Sequence, residues 1–482
     1  MKILYFLSED IELPTFLRNF TPGHVYIRCL THGVDILQRL RKYKEAVILL
    51  EDLLTQKTYR QDYRGYWWDR LALNLDQHLK QPEKIHVRML TPVNLILMRI
   101  NLRNHEIAIN QIFFRDIELP TFLRNFTPGH VYIRCLTHGV DILQRLRKYK
   151  EAVILLEDLL TQKTYRQDYR GYWWDRLALN LDQHLKQPEK SISVIEKGLN
   201  DEFVKYGHRL NLYNRAKRLN DTLPKKHNCL LNNYHEMNIR EIPKLVIKGR
   251  LLPRMIPGRK HLFISSTSSD SLSEGDMAVL SVEDLALEYY RNQGYTQGIH
   301  GEGPTFVSLF CLYFWTEIYE HDIPDAFICP HQTHPLDLNS DAFFQSRKLE
   351  IEKHLEKLKQ LSIEEVIEFG RINWHKHKDK MCLIQWDKFI DWEQVESLIR
   401  CLGNNLLVGI CKRLAENFRH CRSGAPDLVV WNQDELQIKF VEVKGPGDQL
   451  SSKQILWLDY LLSLNADAEV CYIQAINSRK LS

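Results

Sequence analysis

Gly424-Ala425-Pro426-Asp427-Leu428-Val429-Val430-Trp431 is followed by Phe440-Val441-Glu442-Val443-Lys444-Gly445, and the two segments together carry two carboxylates and a lysine. Leu428 to Trp431 and Leu436 to Val443 are rich in β-branched and aromatic residues, and the turn-forming Asn432-Gln433-Asp434 separates them, so the pair predicts a hairpin. Side chains alternate faces along a strand, which puts Glu442 and Lys444 on one face. Asp427, at the start of the preceding strand, reaches that face. Two carboxylates and an ammonium converging on one point need positive charge to compensate them. Hard oxygen donors suit Mg²⁺ or Mn²⁺. Such an ion polarises a phosphate and lowers the pKa of an attacking water, with Lys444 orienting that water or offsetting charge. The same pattern also fits an edge hairpin with a surface Glu and Lys pair, so the neighbouring sequence has to decide.

Gly445-Pro446-Gly447 ends the second strand abruptly. Asp448 then leads into an apolar helix running through Leu462, whose first turns carry Lys453 and Gln454, and Ala468 to Ile473 forms a further strand. With a helix upstream, this gives an α-β-β-β-α-β core. From Ile299 to the C-terminus the chain resembles the Fanconi-associated nuclease family, the VRR-NUC branch of the PD-(D/E)xK enzymes. The resemblance rests on the two strands and on Gln297-Gly298-Ile299-His300-Gly301-Glu302-Gly303, Pro335-Leu336-Asp337-Leu338 and Phe418-Arg419-His420-Cys421-Arg422.

That resemblance implies a multidomain chain, a TPR-like all-α array followed by a restriction-endonuclease-like α/β nuclease domain. It also implies a structure-specific endonuclease and 5′ exonuclease acting on 5′ flaps and other branched DNA in interstrand cross-link repair. A nuclear location and Fanconi anaemia pathway proteins as partners follow in the same way. Asp427, Glu442 and the backbone carbonyl of Val443 would bind the metal, Glu302 would complete the acidic set, and Lys444 would position the water. Glu302 also opens the apolar stretch Phe306 to Tyr319, where a carboxylate suits a helix N-terminus; by itself that position equally suits an ordinary capping glutamate. Two other readings remain open. One is a non-catalytic scaffold that binds DNA junctions, and the other a nuclease of the Holliday-junction-resolvase kind.

Arg419 and Arg422 offer guanidinium forks for phosphate, or a solvated basic turn. Lys453 and Gln454 either orient the site or touch phosphate. His375 and His377, two apart with a lysine between them, fit no common zinc spacing and read as an exposed basic helix end.

The N-terminal half holds a repeat without one substitution: Asp10 to Lys84 recurs as Asp116 to Lys190. Solenoid repeats diverge and have periods of about 20 to 50 residues, so this is a recent duplication or a join of the same exons twice. Between the copies, 85–115 is apolar and poorly patterned. In the second copy and beyond it, Val140 to Arg147, Tyr149 to Leu160, Trp173 to Leu185 and Arg209 to Leu219 show helical spacing and predict an array of amphipathic helices. By resemblance, Arg176 and His208 fall at positions of a pocket for a 5′-terminal phosphate, although Tyr172 stands where the family usually has arginine. An Arg176 paired with Asp175 or a nearby acid, and a structural His208, are the alternatives.

The expected domains are 1–84 (first copy), 85–115 (insert), 116–262 (TPR-like), 263–280 (linker, with the serine-rich stretch Ser265 to Ser273) and 281–482 (nuclease). A net charge of +4 over 482 residues is weakly basic, so nucleic-acid affinity has to come from local patches such as Lys244 to Arg259. Ten cysteines without a CxxC pair, and no signal or membrane-spanning pattern, read as reduced thiols of a soluble intracellular protein with no membrane partner. The sequence contains no ligand set for the ubiquitin-binding zinc finger of longer family members.

Overall fold

A computed structural model describes residues 22–56, 59–60, 63–80, 118–220, 239–251, 263–264, 279–301, 303–329 and 331–476. The chain divides into two units, Met1–Tyr234 and His235–Ser482.

Identical sequence in the first unit folds twice into the same local structure. Helices α1 (Pro22–Arg39), α2 (Tyr43–Thr55) and α3 (Arg64–Leu73) recur as α4 (Pro128–Arg145), α5 (Tyr149–Thr161) and α6 (Arg170–Leu179). In each copy a fully buried tryptophan anchors the core, Trp67 donating to Thr31 Oγ1 and Trp173 to Thr137 Oγ1, both at 3.2 Å. What differs is the surroundings. Ile142 on α4 packs into the core of the first copy and is 6% exposed, whereas its equivalent on α1, Ile36, is 56% exposed. The second copy continues into α7 (Pro188–Leu199) and α8 (Tyr206–Asn220), where Asp201 between them accepts from Arg170 at 2.7 Å and from Trp174 at 2.8 Å. The expected insert lies outside the described residues.

The second unit is built on a seven-stranded mixed sheet, ordered β3-β2-β1-β7-β6-β5-β4. Its strands are β1 (Lys244–Leu251), β2 (Phe263–Ile264), β3 (Val279–Leu280), β4 (Gln297–His300), β5 (Leu428–Asn432), β6 (Gln437–Lys444) and β7 (Asp467–Ile476). β7 runs parallel to both β1 and β6, and the other pairings are antiparallel. The expected boundaries at 262 and 280 therefore move. β1 belongs to the sheet because its alternating Leu245, Ile247 and Gly249 pair along β7; read as a basic patch, its lysines concealed a strand of period two. The serine-rich stretch lies outside the described residues.

Both faces of the sheet are covered, which explains why β5 is buried throughout. Helix α9 (Val282–Asn292), started by a reciprocal Ser281 and Asp284 capping box, covers one face through Leu285, Leu287 and Tyr290, against Leu428, Val430, Val441 and Val443. Val429, Trp431 and Phe440 point to the opposite face. There they meet α10 (Pro304–Tyr313), the long Trp392–Glu416 segment and α11 (Ser452–Ser463). Since Glu442 and Lys444 alternate with Val441 and Val443, they fall on this second face with Phe440.

α10 is shorter than the stretch Phe306 to Tyr319 suggested, since a π segment, Thr316–Glu320, takes over after a break. The pair at the end of Ile363–His377 also divides. His375 is exposed, but His377 is 2% exposed and stacks on Trp315 at 3.8 Å, because residues two apart on a helix face different ways. Among the described residues no helix is long and apolar enough to cross a membrane.

Candidate active site

The register of the β5 and β6 hairpin, Leu428 opposite Val441, sets Asp427 across from Glu442 one position further along. Asp427 is held from two sides. Its Oδ2 accepts the Val443 N–H at 2.8 Å, and its backbone carbonyl accepts the Gly301 N–H at 2.6 Å, where β4 ends. Glu442 is fully buried. Its Oε1 accepts from Lys444 Nζ at 2.7 Å and from Gln454 Nε2, while its Oε2 is buried with no hydrogen-bond partner.

Burial, and then the Asp427 carboxyl opposite, push Glu442 from an ordinary 4.5 up to about 8. Burial likewise raises Asp427, against the Val443 N–H, a hydrogen bond shared with the Glu442 carboxyl, and Lys444, which lower it. The desolvated Glu442 carboxyl, with Asp427 facing it, keeps its proton near neutral pH until a cation replaces it. The bare Oε2 and the facing Asp427 are hard oxygen donors of the kind a divalent cation takes, so the residues present fit such an ion. Among the described residues no cluster of three or more His, Cys, Asp and Glu side chains assembles. Glu302, the expected third acid, lies outside the described residues.

Positive charge gathers at the start of α11. Lys453, on the first turn of α11, donates to Ser423 Oγ at 3.1 Å. Burial, Arg422 and Arg419 together hold its ammonium below the usual lysine range, so the three cations share one neighbourhood. Gln454 turns toward Glu442. Two glycines that the sequence marked only as part of a family block set the walls: a Cβ on Gly301 would lie 2.6 Å from the Pro426 carbonyl oxygen, and one on Gly303 would lie 2.2 Å from that of Arg422. A G-x-G closing a strand is the signal that could have found them, since it marks close backbone approach.

In the first unit the two expected phosphate residues have structural partners. Arg176 donates through Nε to Gln144 Oε1 at 2.9 Å, while Asp175 pairs with Arg215. His208 packs on Gly171, where a Cβ would lie 2.6 Å from its own. Arg176 is five residues beyond Gly171 on α6, roughly 140° round the helix, so the helix backbone does not by itself bring Arg176 and His208 together. Tyr172 donates its hydroxyl to Asp141.

Residues 4–94 and 97–220 match the family model for the Fanconi-associated nuclease 1 TPR domain, and residues 361–475 match the VRR-NUC domain. Fanconi-associated nuclease 1 of Danio rerio is 46% identical over 367 residues, covering 75% of this chain, and that of Homo sapiens is 44% identical over 368 residues, covering 76%. The chain belongs to the Fanconi-associated nuclease family. It spans 37% and 36% of the length of those two relatives. Its fold matches the crystal structure of paFAN1 bound to DNA with a 2-nucleotide 5′ flap and a gap, with a TM-score of 0.56 at 20% identity, over 77% of this chain and 62% of that one. A TPR-like helical region followed by a VRR-NUC domain is the architecture the sequence anticipated. Membership also implies a divalent metal cofactor, which the donor set at Asp427 and Glu442 suits.

Proposed function

We propose that this chain hydrolyses phosphodiester bonds in DNA at 5′ flaps and related branched structures, using Mg²⁺ or Mn²⁺, in the nucleus during cross-link repair. The observation that carries this reading is the buried Glu442 carboxyl facing Asp427, its Oε2 reached by no N–H donor and Lys444 fixed at the other oxygen. The named relatives and the flap DNA in the paFAN1 crystal structure support the choice of substrate.

A cation at this site supplies Lewis-acid polarisation of a phosphate oxygen and a more acidic water. Asp427 and Glu442 would hold that cation. Lys444 holds its ammonium against Glu442, within reach of a water or of charge developing on the phosphate. Arg419, Arg422 and Lys453 would bind neighbouring phosphates.

Cleavage of a labelled 5′-flap duplex with Mn²⁺ or Mg²⁺ tests the proposal, comparing the chain with Asp427→Ala and Lys444→Ala. Metal-dependent cutting that disappears in both variants supports it. Flap binding without cutting by the unchanged chain would overturn it and favour a scaffold.

A further inference from the structure

The N-cap of α11 is wired to the metal site. Ser451 Oγ accepts the Gln454 N–H at 3.4 Å, and Gln454 Oε1 accepts the Ser451 N–H at 2.8 Å, forming a reciprocal capping box. With its oxygen engaged by a backbone donor, the Gln454 amide can present only Nε2 to the rest of the site, and Nε2 donates to Glu442 Oε1. Lys444 Nζ reaches the same oxygen at 2.7 Å. Both protein donors thus converge on Oε1, and the oxygen left over is the buried Oε2.

We infer that Gln454 is a positioning residue for the metal site: the Ser451 N–H holds Gln454 Oε1, and the amide so turned fixes, through Nε2, which oxygen of Glu442 faces the cation. This rests on the proposed function, because it concerns the same carboxylate. Of the two roles open to Gln454 from sequence, orienting the site or touching phosphate, the bond to Glu442 favours the first. Without the amide, Lys444 alone would hold Oε1 and the Glu442 carboxylate would be free to rotate, exposing either oxygen. The helix start supplies the second anchor. In this arrangement a capping motif, whose usual effect is local helix stability, also orients a ligand on the adjoining strand.

Substitutions separate these roles. Gln454→Met keeps the length and helical preference of the side chain but removes both amide groups. Ser451→Ala removes the side-chain cap and leaves the Gln454 amide and the Ser451 N–H in place. The measurements are Mn²⁺ affinity by calorimetry on the full chain without DNA, flap-duplex affinity in EDTA, and thermal melting as a check on folding. The expected result for Gln454→Met is about a tenfold loss of Mn²⁺ affinity, the lower end of what loss of a ligand's hydrogen-bond partner costs, with DNA affinity in EDTA unchanged. Ser451→Ala should melt lower but keep Mn²⁺ affinity within about twofold, since the Nε2 donor persists.

Loss of DNA affinity by Gln454→Met with Mn²⁺ affinity intact would overturn the inference and make Gln454 a phosphate contact. Unchanged values for both would overturn it too, as would an equal loss of Mn²⁺ affinity in Ser451→Ala. If the unchanged chain binds no Mn²⁺ that Asp427→Ala abolishes, it is the proposed function that fails.

Discussion

The backbone N–H of Val443 donates to Oδ2 of Asp427 at 2.8 Å, so the strand that carries Glu442 also fixes the other carboxylate. Asp427→Asn keeps an acceptor oxygen for that bond and removes the charge. Asp427→Ala removes both. The two variants should lose Mn²⁺ binding and flap cleavage alike, while only the alanine form loses about 1 kcal/mol of stability. Urea denaturation beside a Mn²⁺ titration checks this, and equal destabilisation of both would show that the hydrogen bond contributes nothing.

Glu442 makes the stability of the metal-free protein depend on pH. Its folded value of about 8 lies above the ordinary 4.5. Between those limits the unfolded chain has released the proton that the folded one keeps. Stability of the metal-free protein should therefore fall as pH rises from about 4.5 to about 8, by at most about 1.4 kcal/mol per unit for this one group. Glu442→Gln should flatten that fall and be the more stable form at pH 8, although it no longer binds metal. Mn²⁺ replaces the proton in the unchanged chain, so it should flatten the fall as well. Denaturation in EDTA at several pH values, with and without Glu442→Gln, decides the matter.

The hairpin was legible because its signals are local. A turn of Asn432, Gln433 and Asp434 lies between two apolar runs, and an alternation of two places Glu442 with Lys444. The helix after Gly447 was legible for the same reason. β1 was not, because its lysines and arginine mask a two-residue alternation and its partner β7 lies far along the chain. The burial of His377 is not encoded locally, because its stacking partner, Trp315, sits on a different element. At the site, residue types and spacing pointed to Asp427, Glu442 and Lys444. They did not show that Gln454 faces Glu442, since that depends on how α11 meets β6.

Arg347 and Asp337 form an ion pair, 2.5 Å long, with side chains 0% and 1% exposed. Arg347 also donates to the Phe343 carbonyl at 3.3 Å and to Ser346 Oγ at 3.0 Å, so one guanidinium ties the Pro335 to Leu338 segment to the helical layer. Arg347→Met leaves Asp337 as an uncompensated buried charge and should cost roughly 3–5 kcal/mol. Combining it with Asp337→Leu should recover much of that loss, because the expensive species is the unpaired carboxylate. Unfolding of the singles and the double gives the coupling. Strictly additive losses would mean that the pair does not act as one.

Gly303 has a φ of 27°, and a Cβ there would lie 2.2 Å from the Arg422 carbonyl oxygen. Backbone cannot give way as a flexible side chain can, so Gly303→Ala must displace the segment that carries Arg419 and Arg422 toward Asp427. Gly294 is the comparison. Its φ of 100° strains an alanine just as a left-handed position does, but nothing lies within 4 Å of the added carbon. Gly294→Ala should cost about 1 kcal/mol of stability and leave flap cleavage unchanged. Gly303→Ala should cost more than that and also lower cleavage, because it moves the segment of Arg419 and Arg422, proposed above to bind phosphate. Melting and single-turnover cleavage of both variants test this. If Gly303→Ala cuts at the unchanged rate, the approach of Gly303 to Arg422 has no part in shaping the site.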